Sequence, residues 1–239
     1  MLSGLAGWSL ALTWLARETK EDKWLTEARL ALSRANDRYS PERAWSPAEE
    51  SPLGLAHGTA GIAMAALRYL SVSEDPFGWE VTNRAFAFER RFSISTLRHW
   101  PGKSSPDGWC SGLPGVAITR ALAWKTTGED SLQRELQTFV PQLSTKLMPQ
   151  DHWCCGNFGT ADVLLTLSDW LEDPALHKAA VHLMQRALLR ARQSAFYRFG
   201  ATLGENYSTH LNLFRGLAGL GYTLLRVERP LPSLVAFEL

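Results

Sequence analysis

The chain has 239 residues, 45% of them hydrophobic, and a formal net charge of +1. This composition predicts a globular protein with a well-filled core. Charged residues are spread along the sequence without a block of one sign, so we expect no nucleic-acid partner and no binding to an anionic membrane. The first apolar run, residues 5–16, follows no basic residue and is too short to cross a bilayer. We therefore expect a soluble, cytoplasmic protein without a transmembrane segment.

A short phrase, Gly-x-x-Gly, recurs five times, and each copy opens an apolar stretch. The copies follow one another at intervals of roughly 45 to 60 residues, at or just above the period of helical-hairpin repeats. They are Gly4-Leu-Ala-Gly7, Gly58-Thr-Ala-Gly61, Gly112-Leu-Pro-Gly115, Gly156-Asn-Phe-Gly159 and Gly216-Leu-Ala-Gly219. The sequence thus predicts a series of helical hairpins.

The apolar pattern distinguishes two kinds of helix within the repeats. Segments that are apolar nearly all round predict buried inner helices, and they occupy residues 8–16, 62–69, 117–124 and 163–170. More charged segments with apolar residues at helical spacing predict outer helices, at residues 22–36, 131–147 and 174–193. Loops are predicted at residues 40–54 and 100–108, and no alternating pattern indicates a strand. The predicted fold class is all-α.

A closed ring of such hairpins would bring every Gly-x-x-Gly to one end of the barrel, where glycine permits close approach of backbones. The alternative is that the glycines only start helices and let them pack. The last copy has the wrong glycine order for a dinucleotide-binding loop and follows no strand, so we reject that function for it.

Reactive side chains stand beside the first glycine in three repeats. The second copy reads Ala-His57-Gly, the third Trp-Cys110-Ser-Gly and the fourth Trp-Cys154-Cys155-Gly. An odd number of cysteines without an export signal argues against a disulfide framework. Three thiolates brought to one rim by equivalent positions would suit zinc, with the fourth metal position open to a substrate. Buried structural thiols are the alternative.

These ordered phrases resemble the signatures of lanthionine synthetase cyclases, both the free-standing LanC enzymes and the cyclase domain of LanM enzymes, to which the chain is closest. The ending, residues 231–239, is similar to that family's carboxy terminus. The resemblance implies an α/α toroid, and we interpret residues 1–239 as a single domain. The family has seven hairpins. The five copies here therefore imply an incomplete ring that lacks about two amino-terminal hairpins and, with them, an acidic residue near the active site.

The resemblance also implies a metal site and a reaction. Zinc would be held by Cys110, Cys154 and Cys155, an all-cysteine version of the family's ligand set, and His57 would act as the acid or base. The substrate would be a precursor peptide with dehydroalanine or dehydrobutyrine and free cysteines, made by a dehydratase domain or protein. A zinc-bound cysteine thiolate would add to the alkene and close a thioether ring.

Two departures from the family's pattern accompany this assignment. Ser111 follows Cys110 where the family commonly has His or Tyr, and no arginine stands in the few residues before Cys110, so Arg98 or Lys103 would have to reach the site. His152 is interpreted as a surface residue, with a hydrogen bond to the site as the alternative.

Three rival interpretations of the whole chain remain open. They are a truncated, inactive remnant, a non-catalytic scaffold that binds zinc and thiols, and a different zinc-dependent toroid such as a protein prenyltransferase, whose Asp-x-Cys phrase is not found here.

Overall fold

The computed structural model describes residues 4–46, 53–94, 108–143, 145–200 and 211–238. Within these ranges the chain forms nine α-helices and one 3-10 helix, Val140–Gln142, and no β-strand. A single isolated bridge joins Ser40 to Ala44. None of the described helices combines the length and apolarity that crossing a membrane requires. The predicted all-α fold class is confirmed.

Inner and outer helices alternate along the chain. The inner helices are α1 (Leu5–Thr19), α3 (Thr59–Ser73), α5 (Leu113–Thr127), α7 (Asn157–Leu171) and α9 (Leu217–Glu228). The outer helices are α2 (Asp22–Asn36), α4 (Phe77–Glu89), α6 (Asp130–Phe139) and α8 (Pro174–Ser194). Each inner helix packs against the next inner helix, and the first four also pack against the outer helix that follows them. This arrangement is that of an α/α toroid.

Burial follows the predicted division between the two kinds of helix. Every residue from 113 to 123 in α5 and from 157 to 168 in α7 is buried. The outer helix α6 instead buries one face, formed by Leu132, Leu136 and Phe139 at helical spacing. Full burial of one such leucine stabilises the fold by about 1.5 to 3 kcal/mol. The apolar pattern therefore identified which helices form the inner layer.

One predicted outer helix is shorter than expected. The sequence predicted a helix over residues 131–147, whereas α6 ends at Phe139 and a 3-10 turn follows. Pro141 explains the difference, because a proline has no N–H to donate to the preceding helical turn. The two other outer helices match their predicted spans within one residue. Residues 47–52 of the first predicted loop and residues 100–107 of the second lie outside the described residues.

The repeated glycines begin the inner helices and also mediate their contacts. The first glycine of every copy is the residue that caps its inner helix: Gly4, Gly58, Gly112, Gly156 and Gly216. The second glycine allows close packing, as at Gly159, where a Cβ would lie 3.0 Å from Trp109 Cδ1 of the preceding repeat. The glycines therefore start the helices and let them pack, as the alternative given by the sequence has it, and this packing brings the turns of neighbouring repeats together.

The segment after α9 lies against the opposite end of the toroid, away from the glycine turns. Thr166 donates to Ser233 Oγ at 2.7 Å, and the Trp170 indole donates to Glu238 at 2.8 Å. A cavity of about 510 Å³ runs along α1 from the first glycine turn, Gly4 and Gly7, to Arg17, and is bordered by the end of α3 and by Phe237. Its lining contains none of the three cysteines.

Candidate metal centre

The three cysteines meet at the rim formed by the glycine turns. Cys110 lies in the turn before α5, and Cys154 and Cys155 lie in the turn before α7. Their sulfur atoms all lie within 4.8 Å of one another, and those of Cys154 and Cys155 are 3.3 Å apart. The structure thus brings together the three residues predicted as metal ligands.

Two of these cysteines are joined in the structure. Cys110 and Cys155 form a disulfide with their Cα atoms 6.2 Å apart, and Cys154 is a buried free thiol. The expectation of no disulfide was wrong, because it rested on the number of cysteines and not on the contact between two turns. A disulfide offers no thiolate, so this oxidised form and a three-thiolate metal site exclude each other.

In reduced form the donor set fits zinc. Sulfur atoms bound to one tetrahedral zinc at about 2.3 Å are about 3.8 Å apart, a spacing inside the span of this cluster. Cys110 and Cys154 are buried and Cys155 is half-buried, so the cluster is enclosed on one side and reachable on the other. Three soft donors with access from one side are typical of a zinc site that keeps a position for substrate.

Backbone hydrogen bonds hold neighbouring turns in register. Leu55 N–H donates to the carbonyl oxygen of Trp109 at 3.0 Å, and Ala56 N–H donates to that of Cys110 at 3.1 Å. Cys154 N–H donates in the same way to the carbonyl oxygen of Phe214 at 2.8 Å. The second turn is therefore fixed to the third, and the fourth to the fifth.

His57 lies on this rim. It directly follows Ala56, whose amide is bonded to the backbone of Cys110, and it directly precedes Gly58 at the start of α3. Its side chain is exposed. The structure thus places His57 in the turn next to that of Cys110, and its acid or base role stays a prediction.

His152 is buried, and its assignment to the surface was wrong. It is only 4% exposed, and its Nδ1 accepts a hydrogen bond of 3.1 Å from the amide of Cys155. Burial, together with the charge of Arg215, lowers the pKa of His152 to about 4. His152 is therefore a neutral imidazole that positions the Cys155 turn, which was the alternative weighed from the sequence.

A buried aspartate before the cysteine pair was not foreseen. Asp151 accepts hydrogen bonds from Arg190 at 2.6 Å, from the amide of Arg198 at 2.9 Å and from Asn157 at 2.9 Å. These contacts tie the turn that carries Cys154 to α7, α8 and the segment after α8. No motif indicates them, because they join residues far apart in sequence.

A second buried carboxylate fixes the tryptophan of the same turn. The indole of Trp153 donates to Asp162 at 3.0 Å, and Asp162 also forms an ion pair with Arg226 of α9. Both charged side chains are almost fully buried. The position of Cys154 therefore depends on an ion pair between two inner helices.

The remaining residues singled out from the sequence have different outcomes. Ser111 Oγ lies 3.4 Å from the sulfur of Cys110. Arg98 and Lys103 lie outside the described residues.

Arg215, in the fifth turn, was not predicted as a residue of the site. Burial raises the pKa of the Cys154 thiol, and the charge of Arg215 offsets part of this rise. Arg215 directly follows Phe214, whose carbonyl oxygen accepts the amide of Cys154. The register would have revealed it, because Arg215 directly precedes Gly216 as His57 precedes Gly58.

These features define the class of the protein: a helical toroid whose glycine turns assemble a cysteine cluster at one rim. The family model described as lanthionine synthetase C-like protein matches residues 1–238. The chain belongs to this family, which confirms the resemblance seen in its motifs. Among curated protein sequences, none matches the chain significantly.

Proposed function

We propose that this protein is a zinc-dependent cyclase that adds peptide cysteine thiolates to dehydroalanine or dehydrobutyrine and so forms thioether rings. The observation that carries the proposal is the convergence of three cysteine sulfur atoms within 4.8 Å. Membership of the lanthionine synthetase C-like family supports it. Within the family we assign the chain to the all-cysteine subgroup, nearest to the LanM cyclase domains.

Reduced Cys110, Cys154 and Cys155 would hold the metal. Zinc at this place would keep a substrate thiol deprotonated at neutral pH, where a free thiol with a pKa of about 8.5 is mostly protonated. The two buried cysteines shield one side of the cluster from water, and half-buried Cys155 leaves the other side open to a peptide. Neutral His152 keeps the amide of Cys155 satisfied and so fixes the open side.

His57 would supply the proton that completes the reaction. When the sulfur bonds to the β-carbon of the alkene, the π electrons move to the α-carbon and its carbonyl as an enolate. The α-carbon then takes a proton. His57 is exposed on the same rim, and histidine is the side chain best suited to proton transfer near neutral pH.

The reaction implies its partners and its compartment. The substrate is a precursor peptide already dehydrated at serine or threonine, so a dehydratase domain or protein must act first. A site of three thiolates persists where thiols are kept reduced, so the compartment we propose is the cytoplasm.

The Cys110–Cys155 disulfide favours a second candidate, a member of the family without cyclase activity. A chain that keeps two of its three sulfur atoms in a disulfide has one thiolate left, and one thiolate does not make the proposed site. Metal content after reduction separates the two candidates.

The test is zinc content per chain after reduction, for the parent and for Cys110→Ala and Cys155→Ala. His182→Ala, at an exposed histidine of α8, is the matched control. We expect one equivalent in the parent and the control and little in the cysteine variants. Ring closure is then followed by counting alkylatable thiols in a dehydrated peptide, and we expect His57→Asn to keep zinc and lose turnover. A folded, reduced parent without zinc would overturn the proposal.

A further inference from the structure

The residue directly before the first glycine is polar or reactive in all five repeats. It is Ser3 in the first repeat, and the other four residues lie in the described part of the structure. They are His57, Ser111, Cys155 and Arg215. The proposed function uses the histidine and the cysteine, and the serine contacts the sulfur of Cys110. Arg215 has the same register and no assigned task.

The fifth turn, which carries Arg215, is firmly placed against the fourth. Phe214 accepts the amide hydrogen bond of Cys154 at 2.8 Å, and its ring meets that of Trp153 with centroids 5.6 Å apart. A Cβ at Gly219 would lie 2.6 Å from the Cβ of Trp153, so the start of α9 also packs against this turn. The backbone that precedes Arg215 is therefore bonded directly to a proposed metal ligand.

The side chain of Arg215 brings positive charge to the cluster. Arg215 directly follows Phe214, whose carbonyl oxygen accepts the amide of Cys154, so this charged residue stands one position from a backbone contact with the cluster. The side chain is exposed, and within the described ranges no carboxylate forms an ion pair with it. The amide of Arg215 donates to Asn212 Oδ1 at 2.7 Å, which fixes the turn.

We propose that Arg215 binds the carbonyl oxygen of the dehydroamino acid and stabilises the negative charge that this oxygen acquires. This inference rests on the proposed function. As the thiolate forms the sulfur–carbon bond, the alkene π electrons pass to the enolate, whose oxygen accepts hydrogen bonds from the guanidinium. The charge disappears when the α-carbon is protonated. A planar guanidinium with several donors suits an oxygen whose charge grows during the reaction.

The inference is tested with Arg215→Gln and Arg215→Lys, with Arg229→Gln at an exposed arginine beyond α9 as the control. With a dehydrated peptide, we expect Arg215→Gln to lower kcat about a hundredfold with zinc content unchanged, because a donor to a developing oxyanion is lost. We expect Arg215→Lys to recover part of that loss and the control to match the parent.

A binding measurement provides a readout that does not depend on turnover. The reduced protein is loaded with Co²⁺, and the sulfur-to-metal absorption band reports the binding of 3-mercaptopropionate and of cysteamine. We expect the parent to prefer the anionic thiol by about tenfold and Arg215→Gln to lose that preference. Equal preference and equal kcat in parent and Arg215→Gln would overturn the role of Arg215 alone. A parent that binds neither Co²⁺ nor Zn²⁺ would overturn the proposed metal site and this inference with it.

Discussion

The indole nitrogen of Trp109 donates a hydrogen bond of 2.8 Å to the backbone carbonyl oxygen of Trp153. The two rings meet edge to face, with centroids 5.0 Å apart, and both are almost fully buried. Each tryptophan directly precedes a cysteine of the cluster. The pair therefore holds the two cysteine turns against each other, next to the Cys110–Cys155 disulfide that also joins them.

Replacing Trp109 by phenylalanine should loosen this spacing. The variant keeps a ring in the core but leaves the buried carbonyl of Trp153 without its donor, which costs about 1 to 3 kcal/mol of stability. We expect zinc affinity to fall about tenfold, as for other residues that orient metal ligands. Urea unfolding and competition with a chelator measure the two effects. Trp8→Phe, at a side chain 60% exposed, should change neither, and an unchanged affinity in Trp109→Phe would contradict this role.

Gly54 is predicted to tolerate no side chain. A Cβ there would overlap the backbone of Cys110 and Ser111, and backbone has little freedom to move aside. We expect Gly54→Ala to lower stability by about 1 to 3 kcal/mol and to weaken zinc binding, because the Cys110 turn must shift. Gly221→Ala is the control. Gly221 lies within α9 with nothing within 4 Å of an added Cβ, so alanine there should be neutral or stabilising. Thermal unfolding of the two variants in parallel makes the comparison.

The features that the sequence predicted correctly are those repeated along it. Inner helices such as α5 and α7 are apolar all round, and the position of Cys110 before Gly112 is repeated at Cys154 before Gly156. Such patterns identify equivalent places in a toroid without knowledge of any contact. The same register also contains Arg215, which a comparison of all five turns would have found.

The features that were missed depend on single contacts between distant residues. Asp151 accepts a hydrogen bond from Arg190, and His152 accepts one from the amide of Cys155. Both contacts form because the segment before the cysteine pair is buried. A histidine or an aspartate in a polar segment gives no sign of such burial. The disulfide between Cys110 and Cys155 was missed for the same reason, since it requires the distance between two turns and not their sequences.

His152 should act on the metal site through the amide of Cys155. Asparagine can offer its oxygen where the histidine offers Nδ1, whereas leucine offers no acceptor. We expect His152→Leu to lose about 1 to 3 kcal/mol of stability, because the amide of Cys155 loses this acceptor, and to bind zinc about tenfold more weakly. His152→Asn should stay within about threefold of the parent in affinity. Chelator competition on both variants decides the point, and equal losses in the two would show that only the imidazole volume matters.

A buried ion pair links the His57 turn to two other helices. Arg120 and Glu89 are each 1% exposed in their side chains and lie 2.9 Å apart. Glu89 also accepts a 2.6 Å hydrogen bond from Thr59, the first residue of α3. Arg120→Leu should destabilise the protein by about 3 to 5 kcal/mol, because it leaves a buried carboxylate without its counter-charge.

Two further variants separate the loss of the counter-charge from the loss of packing. Arg120→Leu combined with Glu89→Leu should regain part of the lost stability, since no buried charge is then left unpaired. Arg84→Leu removes a partner of Glu80 from a surface pair and should cost less than about 1 kcal/mol. If the double variant were no more stable than Arg120→Leu in denaturant unfolding, packing of the arginine and not its charge would be the cause.

Asp75 should make the stability depend on pH in the acidic range. Its carboxylate accepts hydrogen bonds from the amide of Phe77 at 2.9 Å and from Arg29 at 2.8 Å, and so fixes the start of α4. Burial alone would raise the pKa of Asp75, but hydrogen bonds from Phe77, Arg29 and Tyr69 and the charge of Arg29 outweigh it, so the pKa lies below its ordinary 3.8. A carboxylate with a lowered pKa contributes its full stabilisation of the folded state at pH values above the ordinary pKa, and this contribution is lost as the pH falls through the folded pKa.

Asp75→Asn should therefore be less stable than the parent by about 1 kcal/mol at pH 7, and the difference should shrink towards pH 3. Urea midpoints at the two pH values measure it, with Asp37→Asn, at an exposed aspartate after α2, as the control. A difference between parent and Asp75→Asn that stayed constant from pH 7 to pH 3 would mean that the side chain acts by shape and not by charge.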